Sequence, residues 1–238
     1  MIPVYVIHAS FLSERAIAIR SQLATHGLAF EWVDNYDPGH LTSEIVARNF
    51  KSESGLSEAQ RSCAMKHIEA MRRIRDEAHP RALILEDDAI LIPDFANRLR
   101  DVLAEAGKLT RPFTISLGTG NSQFTPFTHL RPGQLLYENK RVRNTEAYLI
   151  GREEARFRLK WIEENKLDLP IDLAFNTMDP VLNISILWAE PPLATQGSVT
   201  GKYPSTISSK RHSQIRVWLQ YRYHYLRRRY LLRWLRLR

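Results

Sequence analysis

Three consecutive carboxylates, Glu86-Asp87-Asp88, directly follow the apolar run Leu83-Ile84-Leu85. A short aliphatic run of this kind reads as a buried strand. In open α/β sheets the ligand lies beyond the carboxyl ends of the strands. Successive strand residues point to opposite faces, so Glu86 and Asp88 share one face if the strand continues through them. Adjacent carboxylates repel and cost stability unless a cation neutralises them. A hard divalent cation accepts carboxylate oxygens and leaves positions for phosphate oxygens. That chemistry suits a reaction in which a nucleoside diphosphate departs and its growing charge is stabilised. The plainer reading of the triplet is a solvated turn, with one Asp capping the next segment.

Other residues carry chemistry with less pattern behind them. Cys63 and His67 are four apart and share a helix face. Zinc would need further ligands, and none is spaced for it in the sequence. They read as a small buried thiol and a hydrogen-bonded histidine. Asp172 follows Pro170 and suits a helix N-cap. As a carboxylate it also suits a general base that deprotonates an attacking hydroxyl. Arg15 offers a planar cation for a diphosphate, or is a solvated residue in a first helical turn. Asn183-Ile184-Ser185 matches a glycosylation sequon but lies in an apolar strand and is set aside.

The elements that must position these residues alternate. Val4 to Ile7 reads as a buried strand. Ser13 precedes a helix from Arg15 to Thr25, capped at both ends and stopped by Gly27, and Phe30 to Val33 reads as a second strand. Strand, helix, strand is a βαβ unit. Ser57 with Gln60 three residues on is a capping box that launches a helix through Ala64, Met65, Ile68, Met71 and Ile74. Asp94 is placed to cap a helix carrying Phe95, Leu99, Val102 and Leu103, ended by Gly107. Strands are expected at Phe113 to Leu117, Tyr148 to Ile150 and Ile184 to Trp188, and a helix at Glu153 to Glu164. Residues 120–140 are turn-rich. The fold class is α/β with a central, mostly parallel sheet.

In order and spacing these segments resemble glycosyltransferase family 25, the lipooligosaccharide galactosyltransferase-like family, over most of residues 2–209. Leu83 to Ala89 resembles its apolar strand followed by E-D-D. Cys63-Ala64-Met65-Lys66-His67 resembles its C-A-L-S-H helix, Val4 to Ile7 with Arg15 its opening strand and arginine, and Pro170-Ile171-Asp172 its P-V-D block. Leu117-Gly118 and Ala147 to Ile150 with Ala155 resemble its middle blocks. Pro192 to Gln196 with Ser205-Thr206-Ile207 resembles its closing block. His8-Ala9, Gln60 and Lys66 stand where the family usually has Asn-Leu, Glu and Ser. The resemblance implies a GT-A-like nucleotide-diphospho-sugar transferase fold, a UDP-sugar donor that is usually UDP-galactose, and Mn or Mg. It implies Glu86 and Asp88 as metal ligands and Asp87 at the ribose. Arg15, His67, Gln196 and Ser205 would be contacts of the donor site, Asp172 the base and Glu86 a second catalytic carboxylate. The implied reaction is an inverting hexosyl transfer to a lipopolysaccharide- or lipooligosaccharide-type acceptor.

The 238 residues suit one domain with an appendage. The net charge of +8 is unevenly placed. Residues 210–238 hold ten Lys and Arg and no Asp or Glu, whereas the rest holds 24 basic against 26 acidic residues. Residues 1–209 are therefore read as the catalytic domain and 210–238 as a basic, helical tail. Tail arginines alternate with Trp218, Tyr221, Tyr223, Tyr225, Tyr230 and Trp234, a composition suited to an anionic membrane surface, where a glycolipid acceptor resides. A helix packed on the body is the plainer reading. Nucleic-acid binding is disfavoured by the near-neutral body. A single cysteine, no signal-like leader and no apolar run of about 18 residues point to the cytoplasm, peripheral to the inner face of the membrane. The rival functions are a metal-dependent phosphohydrolase or nuclease using the same carboxylates, and a non-catalytic module binding membrane or nucleic acid.

Overall fold

The computed structural model describes residues 2–77, 79–120, 123–200, 202–203, 218, 219, 221–223, 226 and 227. Strands β1 (Val4–Ile7), β2 (Glu31–Val33), β3 (Arg81–Glu86), β5 (Phe113–Ser116), β6 (Leu136–Asn139), β7 (Ala147–Gly151) and β8 (Ser185–Ala189) form one sheet. Its order is β2-β1-β3-β7-β5-β8-β6. β4 (Ala89–Leu91) and β9 (Ala194–Gln196) form a separate antiparallel pair. The sheet is mostly parallel, as expected, but β7 and β6 run against their neighbours.

Period-2 alternation divides the core into two layers. Tyr5, Ile7, Ile84, Tyr148 and Ile150 face one side. There they meet α3 (Glu58–Asp76), α5 (Arg152–Asn165) and α6 (Ile171–Val181), while α2 (Ser43–Asn49) packs at the rim. Val4, Val6, Leu83, Leu85 and Leu149 face the other side, against Ile19 and Leu23 of α1 (Ser13–Thr25) and Phe95, Leu99 and Val102 of α4 (Phe95–Ala106). A short α7 (Gly197–Thr200) follows β9. The result is a helix–sheet–helix sandwich.

The capping box at Ser57 and Gln60 forms as the sequence predicts. Gly27 stops α1 with φ +63°, a left-handed conformation suited to glycine. Two expected caps do not form. Ser13 lies inside α1, whose N-cap position is Leu12, with no side-chain cap. Asp94 occupies the N-cap of α4, but its carboxylate accepts from the Asn97 side chain at 2.5 Å instead of a backbone N–H. β2 starts one residue later than expected and β8 runs one residue further. Residues 120–140 contain a 3-10 turn at Phe127–His129 and the edge strand β6.

Helix α6 is tied down by a buried ion pair. The Arg158 guanidinium donates to both oxygens of Asp179, at 2.8 and 2.6 Å, and lies 3.7 Å over the Phe175 ring. Both partners are fully buried. Removing one member leaves the other charge uncompensated, which costs about 3–5 kcal/mol. Arg158→Met is therefore expected to lower the free energy of unfolding by that amount, read by circular dichroism as a lower urea midpoint at an unchanged slope.

Most of the expected tail domain, residues 210–238, lies outside the described residues, as does Ser205. Among the described residues no helix is long and apolar enough to cross a membrane.

Candidate active site

β1 and β3 pair in parallel, with Ile7 opposite Glu86, so both strands end at one edge of the sheet. β3 stops at Glu86 and the chain turns through Asp87 and Asp88 before β4. The expected alternation of Glu86 and Asp88 on a continuing strand is thus replaced by a turn. The turn sends the three carboxylates to different partners.

Asp87 braces the loop after β1. Its Oδ2 lies 2.8 Å from His8 Nδ1 and accepts from the Ala9 N–H at 3.5 Å, while Arg15 donates to Oδ1 at 3.2 Å. Arg15 is buried and stacks over Tyr203 at 5.4 Å, so the solvated reading of this residue is corrected. Asp88 is 3% exposed. Its Oδ2 accepts from the Ser198 N–H at 3.3 Å, but its buried Oδ1 has no hydrogen-bond partner. The Asp88 carbonyl accepts from the Gly197 N–H at 2.8 Å, and a Cβ at Gly197 would crowd that oxygen. Gln196 pairs across from Ala89 and accepts from the Asn144 amide at 3.1 Å, which places it beside the acidic turn.

Glu86 accepts from the Thr145 hydroxyl at 2.6 Å, and its Oε1 lies 3.4 Å from His67 Nε2. His67 is fully buried and its Nδ1 lies 3.0 Å from the Tyr148 hydroxyl. Cys63, His67 and Glu86 offer ligand atoms all within 4.8 Å of one another. The expectation that no further ligand stands near Cys63 and His67 is corrected, because β3 delivers Glu86 from a distant part of the sequence. Asp172 lies in the first turn of α6, behind the N-cap residue Pro170, so it is not itself the cap. It is within electrostatic reach of Glu86 and His67.

A cleft opens at this edge, lined by the loop after β1, by Cys63 and Lys66 of α3, and by Glu86 and Asp87. Lys66 is almost wholly buried; its ammonium donates to the His8 carbonyl at 2.7 Å and pairs with Asp37. Burial works against the Asp37 charge, but Lys66 and Ser10 outweigh it and hold this carboxyl below its ordinary range.

The acid cluster resists ionisation without a cation. Burial, then the charge of Glu86, pushes the Asp88 carboxyl up to about 7. Burial, with Glu86 and Asp88 adding to it, pushes Glu146 up to about 8. Glu146 is fully buried beside Glu86, whose N–H donates to the Glu146 carbonyl at 3.0 Å, and its Oε2 has no hydrogen-bond partner. Burial also raises Asp172. Two orphaned carboxylate oxygens, each within electrostatic reach of Glu86, fit the preference of a hard divalent cation. The folded chain then holds protons that the unfolded chain releases near pH 4. Stability is expected to fall as pH rises from about 4 to about 8. About 1 kcal/mol moves the midpoint of a chain this size by about 2–4 °C. A pH series of thermal unfolding in chelator is expected to show a drop of several degrees, and saturating Mn²⁺ to flatten it.

Sequence reasoning missed Asp37, Thr145 and Glu146. Asp37 had a signal, since it lies in the loop after β2, directly before Pro38-Gly39. Thr145 and Glu146 had none, because they precede their strand.

The model of glycosyltransferase family 25, a lipopolysaccharide biosynthesis family, matches residues 1–175. The chain belongs to glycosyltransferase family 25. It is a glycosyltransferase, and the phosphohydrolase, nuclease and non-catalytic readings give way to that. A search of curated proteins finds no match. Among solved structures, a glycosyltransferase involved in glycosylation of the major capsid of PBCV-1 aligns at 9% identity with TM-score 0.47, covering 93% of this chain and 98% of that one. Galactosyltransferase LgtC, in complex with donor and acceptor sugar analogs, aligns at 9% identity with TM-score 0.45, covering 93% and 96%.

Proposed function

We propose that the chain transfers a hexose, galactose in the first instance, from a UDP-sugar to a lipopolysaccharide- or lipooligosaccharide-type glycan, with inversion. The observation that carries this reading is the acidic turn at the carboxyl end of β3, with the orphaned Asp88 Oδ1, beside an open cleft. Asp88 and Glu86 would hold Mn²⁺ or Mg²⁺. That cation neutralises the diphosphate as it leaves. Asp87 and Arg15 fix the loop that borders the cleft, where the ribose and diphosphate are accommodated, and Gln196, His67 and Ser205 complete the donor contacts. Asp172 takes the proton of the acceptor hydroxyl. Its raised affinity for a proton suits a base that must bind one during turnover. The test is an assay of UDP release from UDP-galactose with truncated lipooligosaccharide acceptors, with product anomers read by NMR. A β-linked product from the α-linked donor supports the reading, and an α-linked product removes the need for Asp172 as base.

The basic tail is the proposed membrane contact. Trp218, Leu219, Tyr223 and Leu226 are exposed there, and Arg222 lies 5.6 Å over the Trp218 ring. Each cation near an anionic leaflet contributes about 1 kcal/mol and is screened by salt. Truncation after Ser209 is expected to abolish co-sedimentation with anionic vesicles at low salt while sparing transfer to a short soluble acceptor. Equal sedimentation of both forms would remove the anchor, and an insoluble truncated form would mean that the tail packs on the domain.

A further inference from the structure

We infer that Cys63, His67 and Glu86 form a second metal site, selective for a soft or borderline divalent cation such as Zn²⁺, which shares Glu86 with the hard-cation position proposed at Asp88. Zinc takes thiolate, imidazole and carboxylate together, at about 2.0–2.3 Å, so tetrahedral ligand atoms stand about 3.3–3.8 Å apart. The three ligand atoms here lie within 4.8 Å of one another, with His67 Nε2 and Glu86 Oε1 at 3.4 Å. Closing on a cation therefore requires the ligand atoms to approach by at most about 1 Å.

Two further observations point to a ligand. His67 is fully buried, yet its Nε2 makes no hydrogen bond. A buried ring nitrogen left in this way is costly unless something binds it. The other ring nitrogen, Nδ1, lies 3.0 Å from the Tyr148 hydroxyl. Metal-bound histidines are held in this manner, the far N–H donating to a fixed acceptor that sets the tautomer and ring plane. Glu86 is steadied likewise by the Thr145 hydroxyl at 2.6 Å. Three protein ligands leave the fourth zinc position for a water or an anionic oxygen, and Cys63 and Glu86 both line the open cleft from which it would come.

The experiment uses Co²⁺ as a spectroscopic stand-in for Zn²⁺, on the full chain, without nucleotide or sugar. Its outcome is therefore independent of the proposed transfer. Cys63 is the only cysteine, so any cobalt–thiolate charge-transfer band in the near ultraviolet reports this residue alone. Wild type is expected to develop that band at one equivalent and to lose it on addition of Zn²⁺. Cys63→Ser is expected to lack the band. Tyr148→Phe keeps the ligands and removes only the hydroxyl, so it is expected to keep the band while binding Co²⁺ about 10- to 100-fold more weakly. Asp88→Asn is expected to leave the band unchanged. Absence of the band in folded wild type, or its loss in Asp88→Asn, would overturn the site. Undiminished affinity in Tyr148→Phe would remove the histidine from it.

Discussion

Replacing Asp88 with Asn is expected to lower transfer by at least about 10³-fold and to abolish metal-dependent binding of the UDP-sugar, with the fold intact. A cation at a departing diphosphate supplies several kcal/mol of charge stabilisation, and each 1.36 kcal/mol is tenfold in rate. The amide keeps the shape of the side chain and can still accept from Ser198, as Asp88 does at 3.3 Å. It also removes a carboxyl whose ionisation burial resists, with a pKa near 7. The metal-free variant should therefore unfold at the wild-type temperature or above it. That separates a lost ligand from a damaged fold. Wild-type turnover in Asp88→Asn would move the cation elsewhere in the cluster, with Glu146 the next carboxylate to try.

Asp172→Asn is expected to reduce turnover by about 10²- to 10⁴-fold, the usual contribution of a general base, while the donor binds as before. Asp172 sits partly buried in the first turn of α6, in electrostatic reach of Glu86 and His67. Loss should appear in kcat with little change in the KM for the UDP-sugar. The acid limb of the pH–rate profile should also disappear, because it reports the base losing its proton. Near-normal turnover in the variant would transfer the role to Glu86.

Much of this site was legible in the sequence because its main residues follow strands or open helices. The acidic triplet follows an aliphatic run, and a parallel strand ends where ligands bind, so Glu86 to Asp88 could be placed without coordinates. The capping box at Ser57 likewise fixed the register of α3, and hence the shared face of Cys63 and His67. What stayed hidden depends on pairing. β7 is antiparallel to β3, with Leu85 opposite Ala147. The residues before β7 therefore stand at the same edge as those after β3, and Thr145 and Glu146 join the site from the wrong end of their strand. Had β7 run parallel to β3, they would stand at the far side. The burial of Arg15 was hidden for a related reason. Its partner Asp87 is 72 residues away, and an arginine in a first helical turn carries no local sign of it.

The most direct test of the central claim is the thermal unfolding midpoint of the full chain with UDP-galactose, in Mn²⁺ and in chelator. A ligand at about 100 times its Kd stabilises the folded state by about 2.7 kcal/mol, several degrees for a chain this size. The account predicts that rise in Mn²⁺, its absence in chelator, and its absence in Asp88→Asn under both conditions. A rise of equal size in chelator and in the variant would contradict a donor site built on the acidic turn.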